Sequence, residues 1–152
     1  VNGLLLYLHL LSTAAWFGGG LAGMTLALAV RREPVPNRAL TFQLLGRIHT
    51  RLVAPGALVS VLTGLALTMS LAMSEGATAL GSTGMIVMQG SGLVAGLLVL
   101  FLGLPLANKL TRLAGKAGDS LPPEFEEARK QQAIIQSIAG VLILVAFYAA
   151  VT

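Results

Sequence analysis

Cysteine is absent from this 152-residue chain. That excludes disulfides, thiolate metal centres, iron–sulfur clusters and thiol catalysis, whichever compartment its loops face. Charge is scarce as well: 11% of residues are Asp, Glu, Lys or Arg, against 55% that are hydrophobic. A soluble domain of this size needs a charged surface, so the balance excludes an ordinary globular enzyme or a nucleic-acid module. No P-loop, GxSxG or HExxH motif occurs, which removes the footholds for nucleotide, serine-hydrolase and zinc-protease chemistry. The GGGLAG run at 18–23 has no strand before it and is not a dinucleotide fingerprint. No long uncharged stretch contains an acid, so a proton pump or cation channel built on a buried carboxylate has no candidate residue.

What is present is membrane-like, with a mean hydropathy of +0.83. Uncharged stretches run from Leu4 to Val30, Leu52 to Ser74, Gly76 to Asn108 and Gln131 to Thr152. Each reaches the ~20 residues that a helix needs to cross the hydrocarbon core. The expected fold is therefore all-α: one integral membrane domain over residues 1–152, a four-helix bundle with spans at about 4–30, 52–74, 84–108 and 131–152. The first stretch lacks a basic leader and is too long for a signal-peptide core, so it reads as a retained span.

All ten Lys and Arg fall at 31–51 and 109–130, between the first and second spans and between the third and fourth. The loop between the second and third carries only Glu75. Positive charge marks the cytoplasmic side, so both basic loops are expected there and both termini outside, in a bacterial inner membrane. The net charge of +4 and the pI near 10.1 then reflect topology and not a polyanionic partner.

Two helices are expected to project beyond the membrane at the basic end. Asn37 is a candidate N-cap for the second, with Pro55 tolerated near its membrane entry. Ser120 followed by Pro122, Pro123 and Glu124 signals the start of the fourth, with Glu126 and Lys130 as a supporting i,i+4 pair. Small residues recur at four-residue spacing: Gly19 and Gly23, then Gly56, Ser60 and Gly64, then Gly92 and Gly96. Such faces serve close helix packing, homo-oligomer contacts, or room for a flat cofactor.

Polar groups inside a membrane are costly, which singles out His9, Gln89 and Gln136. His9 belongs to the outer leaflet under this topology, and His49 to the cytoplasmic start of the second span between Arg47 and Arg51. Their depths differ too much for one iron held by both. His49 reads as a headgroup or loop contact. Met69 and Met73 lie four apart at the outer end of the second span, and Met85 and Met88 three apart at the start of the third, all in His9's leaflet. An imidazole with thioethers is a soft set that suits Cu(I) or the axial positions of a haem iron, giving His9, Met69, Met73 and Met88 as candidate metal ligands. Gln89 and Tyr148 are candidates to line the same pocket. Plain packing by Met and interhelical bonding by His9 is the alternative.

The run YLHLLSTAAWFGGG places Trp16 seven residues after His9 with glycines directly behind, and RLVAPGALVSVLTG places Gly64 nine after Pro55. This pairing resembles the bacterial four-helix HemJ-type protoporphyrinogen oxidases and, more loosely, the CopD copper-resistance membrane proteins. The likeness covers the first two spans. It implies b-type haem on His9, with Trp16 in the same motif. The HemJ-type third span has a Trp and, four residues later, a Lys; Met85 and Gln89 stand at those places here, so the resemblance implies a haem-binding relative more than the oxidase reaction itself. Three functions follow as expectations: a b-type haem protein for electron transfer or haem handling, possessing membrane-oxidoreductase character; a Cu(I)-binding or copper-transport protein; or a structural or assembly subunit with no cofactor.

Overall fold

The structure, a computed structural model, describes residues 3–151, and every regular element among them is helical. Four rods are long and apolar enough to cross a membrane: Gly3–Arg32, Val35–Glu75, Thr83–Gly115 and Pro123–Ala149. The four-span, all-α expectation holds. Thr152, the last position of the fourth expected span, lies outside the described residues.

Helix α1 (Gly3–Ala29) continues until a 3-10 turn at Val30–Arg32 tightens its end, and Pro34 then separates it from α2 (Val35–Ile48). Pro36 sits in the first turn of α2, where its missing N–H has no helical partner to lose. The helix therefore begins two residues before Asn37, which does not act as its N-cap; the Asn37 side-chain amide donates to Glu33 at 3.2 Å. A π turn at His49–Val53 joins α2 to α3 (Ala54–Glu75) in one rod of 41 residues, about 60 Å long and twice the thickness of the hydrocarbon.

Proline causes that π turn. Pro55 has no N–H to donate and its ring clashes with the carbonyl one turn back, so the chain widens until the Ala54 N–H reaches the His49 carbonyl five residues earlier. The third rod repeats the device. Helix α4 (Thr83–Leu98), capped by the Ser82 hydroxyl, passes through a π turn at Val99–Gly103 into α5 (Leu104–Gly115), with Pro105 following. Both widened turns run directly into an α segment whose second residue is proline.

Charge hides the length of the third rod. Lys109 and Arg112 suggest that the helix ends near Asn108, yet α5 runs on to Gly115 because Ala107, Leu110 and Ala114 form a buried stripe at i, i+3 and i+7 while the basic residues occupy the other face. Helix α6 (Pro123–Ala149) starts where the Pro122–Pro123 signal puts it.

In the membrane, α1 packs against α3 and α4 against α6 around Trp16, Val53, Ala57, Ala95, Val99, Ala139 and Ile143. Small residues dominate because lipid supplies no hydrophobic drive, and association depends on close backbone approach. At Gly56 an added Cβ would stand 2.9 Å from the Ser12 carbonyl and 3.1 Å from the Trp16 nitrogen, so α1 and α3 touch backbone to backbone. Gly96 is filled by Val61, whereas an added Cβ at Gly92 would meet nothing within 4 Å. At the basic end α2, α5 and the start of α6 close a second core of Ala39, Phe42, Leu110, Ala114, Phe125 and Ala128. Phe42 and Phe125 meet edge to face with centroids 4.9 Å apart, and Phe125 is fully buried. Glu126 pairs with Arg38 and with Arg129 at 2.9 Å, in place of the expected Lys130. Arg38 comes from α2, so the pairing ties two helices where the i,i+4 partner would have tied none.

Candidate functional site: a membrane cavity beside the first proline-induced turn

A polar stripe leads into the apolar part of α6. Arg129, Gln132 and Gln136 recur at spacings of three and four, on one helical face. Opposite them α1 presents Gly20 and Gly23, whose missing side chains leave space, and Gly19, whose place Val53 fills. The result is a cavity of about 250 Å³ walled by these residues with Met24 and Leu28 of α1, Leu45 of α2 and His49 of the first π turn. Ligand pockets run from about 300 Å³ upward, so this one suits a small ligand or one end of a larger one.

His49 is 7% exposed, although Arg47 and Arg51 on either side are exposed. Its ring turns inward toward Gln136, whose Nε2 lies 3.4 Å from His49 Nδ1. With the Gln136 amide donating, Nδ1 is the acceptor and the imidazole proton sits on Nε2. That second nitrogen is buried with no hydrogen-bond partner, and Gly103 of the second π turn leaves the space beside it open: an added Cβ there would stand 3.5 Å from His49 Nε2. Gln132 Oε1 is likewise buried without a partner. Two residues of the cavity wall thus each carry an unpaired buried atom, and burying a polar group unpaired costs about 1–3 kcal/mol.

At the cavity's polar mouth Arg129 donates to Glu126, which also takes Arg38. Burial alone would raise the Glu126 carboxyl, but the hydrogen bonds from Arg129 and Arg38 and their charges outweigh it and hold the group below its ordinary value. Glu126 lies outside the uncharged stretch of α6. Two guanidinium groups against one carboxylate leave this cluster with one excess positive charge.

His9 occupies the opposite, closely packed half. Its Nδ1–H donates to the Ser60 carbonyl at 2.9 Å, with Thr63 Oγ1 at 3.1 Å, and its ring lies over Gly64, where an added Cβ would be 3.1 Å from Cε1. Thr13 and Ser60 complete the contact through a 2.6 Å hydroxyl bond. His9 thus meets α3 some 11 to 15 residues beyond His49 on the same rod, which at ~1.5 Å per residue separates the two imidazoles in depth by roughly 20 Å.

The thioethers expected beside His9 are dispersed. Met69 and Met73 are 67% and 82% exposed, and on a helix they project well away from the Ser60–Thr63–Gly64 face that His9 covers. Met85, Met88 and Gln89 are half-buried on α4, and Gln89 Nε2 is buried without a partner. Tyr148 is 72% exposed. Trp16 is buried in the membrane core, two turns along α1 from His9. Sequence reasoning passed over Gln132 and Arg129, whose signal was the stripe through Gln136, and read His49 as a headgroup or loop contact where the structure buries it.

No curated protein and no solved structure matches the chain. A family model described as a predicted integral membrane protein matches residues 3–152, nearly the whole length, and spans all four rods described above. The membrane-crossing helices and the family match agree on one conclusion: the chain is a multi-pass integral membrane protein and belongs to the DUF2269 family.

Proposed function

We propose that this protein binds a small amphipathic ligand from within the membrane, in the cavity between α1 and α6 beside His49. One observation carries the reading: a cavity with glycines on one wall and a polar stripe on the other, two of whose wall residues, His49 and Gln132, each have a buried polar atom without a partner. A ligand with a polar head and an apolar body answers both walls. The test is solvent extraction of protein purified in mild detergent, followed by mass spectrometry. The expected result is a lipophilic compound at about one per chain, lost from Gly20→Leu, whose side chain would enter the cavity. Equal yields from both proteins would refute the site.

A second reading is favoured by the geometry of His9. An Nδ1–H donated to a backbone carbonyl fixes the ring and leaves Nε2 as a lone pair, the arrangement of metal-ligating imidazoles. His9 therefore fits one axial position of a b-type haem, a group that would supply one-electron redox chemistry to an electron-transfer or haem-handling protein. The HemJ-type resemblance supports this reading. The cavity at His49 is small for a tetrapyrrole. For Cu(I), Met69 and Met73 lie on the surface, which leaves His9 and Met88 as the remaining candidates. A Soret band or bound copper lost in His9→Ala supports this reading; a colourless, metal-free wild type ends it.

The basic end of the bundle is proposed to face the cytoplasm of a bacterial inner membrane, with both termini outside. A cytoplasmic reporter active when fused after Thr152 would overturn that orientation. Self-association is proposed through open small-residue positions such as Gly92.

A further inference from the structure

We infer that the ligand of this cavity is a single-chain carboxylic acid, with its carboxylate at Arg129 and its chain in the groove between α1 and α6; the inference rests on the binding reading proposed above. Charge comes first. Arg129 is the only permanently charged residue in the cavity wall among the described residues, and its side chain is 16% exposed. Its Nε is engaged by Glu126, so the outer guanidinium nitrogens remain to donate in a fork, the geometry that matches a carboxylate. The Arg38–Glu126–Arg129 cluster carries one excess positive charge. One charge balances a monoanion and leaves a phosphate monoester undercompensated. Gln132, one turn deeper, offers the headgroup an amide whose oxygen and nitrogen exchange places on a flip.

The apolar wall fixes the rest. Next to the cavity lies a narrow second one of about 20 Å³, which shares Gly20, Met24 and Gln136 with it and adds Trp16, Phe17, Leu21 and Gly140. An added Cβ at Gly140 would meet nothing within 4 Å, so the groove is open along α6. Its rim residues Leu28, Ala133 and Ser137 are exposed on rods that cross the membrane, so the opening faces lipid. The larger cavity, at about 250 Å³, is below the roughly 300 Å³ from which ligand pockets run, so it has room for one chain and not for two. A phospholipid would have to leave its second chain outside.

The chain carries its own reporter, since Trp16 is its only tryptophan and lines the narrow cavity. The experiment titrates stearic acid brominated at mid-chain, and separately its methyl ester, into the full chain in phosphatidylcholine nanodiscs and reads bromine quenching of Trp16. The expected result is saturable quenching by the acid at a concentration at least about tenfold below that for the ester, the size of a charge-assisted hydrogen bond. Arg129→Gln should erase that preference, Arg129→Lys should restore part of it, and circular dichroism should confirm that each variant is folded. Saturable quenching by acid and ester alike, insensitive to Arg129→Gln but lost in Gly20→Leu, would overturn the acid and keep the cavity as a binding site. Displacement of the acid by an equal concentration of phosphatidylglycerol would overturn the single-chain assignment. Absence of saturable quenching by either probe overturns the inference, and the extraction experiment then decides the cavity separately.

Discussion

The two ends of this bundle treat a histidine in opposite ways: His9 is half-buried and His49 is buried. Around His9 the donors are matched: the imidazole N–H has a carbonyl, the neighbouring hydroxyls have each other, and Gly64 lets the ring lie close against α3. Around His49 the packing opens, one ring nitrogen and one glutamine oxygen stand without partners, and a cavity lies beside them. Glycine serves both ends with opposite results. Gly56 and Gly64 are contact points, whereas Gly20 faces a space that nothing fills closely: an added Cβ there would have only Gln136 Oε1, at 3.8 Å, for company. Small residues in a membrane helix therefore carry no fixed meaning, and what stands opposite each one decides between glue and room.

The contrast is sharpest under substitution. Gly56→Leu drives a branched side chain into the α1 backbone and is expected to prevent stable insertion or folding, while Gly20→Leu in the open half should cost less than about 1 kcal/mol; thermal unfolding in detergent compares the two. Equal losses would mean that the open half is as tightly packed as the other. Truncating Phe125 tests the core at the basic end, and Phe125→Ala should cost about 3–5 kcal/mol because the side chain is fully buried against Phe42.

The histidines themselves come next. His9→Ala removes a matched donor and leaves the Ser60 carbonyl unpaired by the ring, for an expected loss of about 1–3 kcal/mol. His49→Leu removes an unpartnered nitrogen and one weak contact to Gln136, so unliganded protein should change by less than about 1 kcal/mol. A larger loss at His49 than at His9 would reverse the comparison.

Acid gives the smallest effect. Glu126 has a carboxyl lowered in the folded state, so its contribution is complete above the ordinary carboxylate range and is lost as pH falls through the lowered value. The melting-temperature gap between wild type and Glu126→Gln should accordingly shrink on acidification, and a gap that stays constant would mean that the Arg38 and Arg129 contacts contribute nothing through charge.

Much of this fold is legible in the sequence because charge is so scarce: the four spans are the stretches without it, and two basic loops mark one end. The third rod was cut short by the same criterion, since Lys109 and Arg112 are surface residues of a helix whose other face is buried. The site was harder to read. His9 is conspicuous as an intramembrane imidazole, but its partners lie on α3, 51 and 54 residues away. His49 looked like an interfacial residue because arginines flank it, and only the helix geometry turns it inward while they turn out. Met69 and Met73 illustrate the reverse error, for shared depth placed them near His9 while helical phase points them elsewhere.

Helical phase also gives the proline-induced turn at 49–53 a further role. A widened turn holds one residue more than the α-helical pitch, and each residue advances the helix by about 100°. Closing this turn to the ordinary pitch with its surplus residue kept, as Pro55→Ala would permit, would swing the whole of α2 by about that angle relative to α3. Phe42 would leave Phe125, Gly46 would leave the Thr111 hydroxyl that fills its place, and Arg38 would leave Glu126, with every residue of α2 still helical. The turn is in that sense a keyway: its one surplus residue aligns the part of the bundle outside the membrane with the part inside.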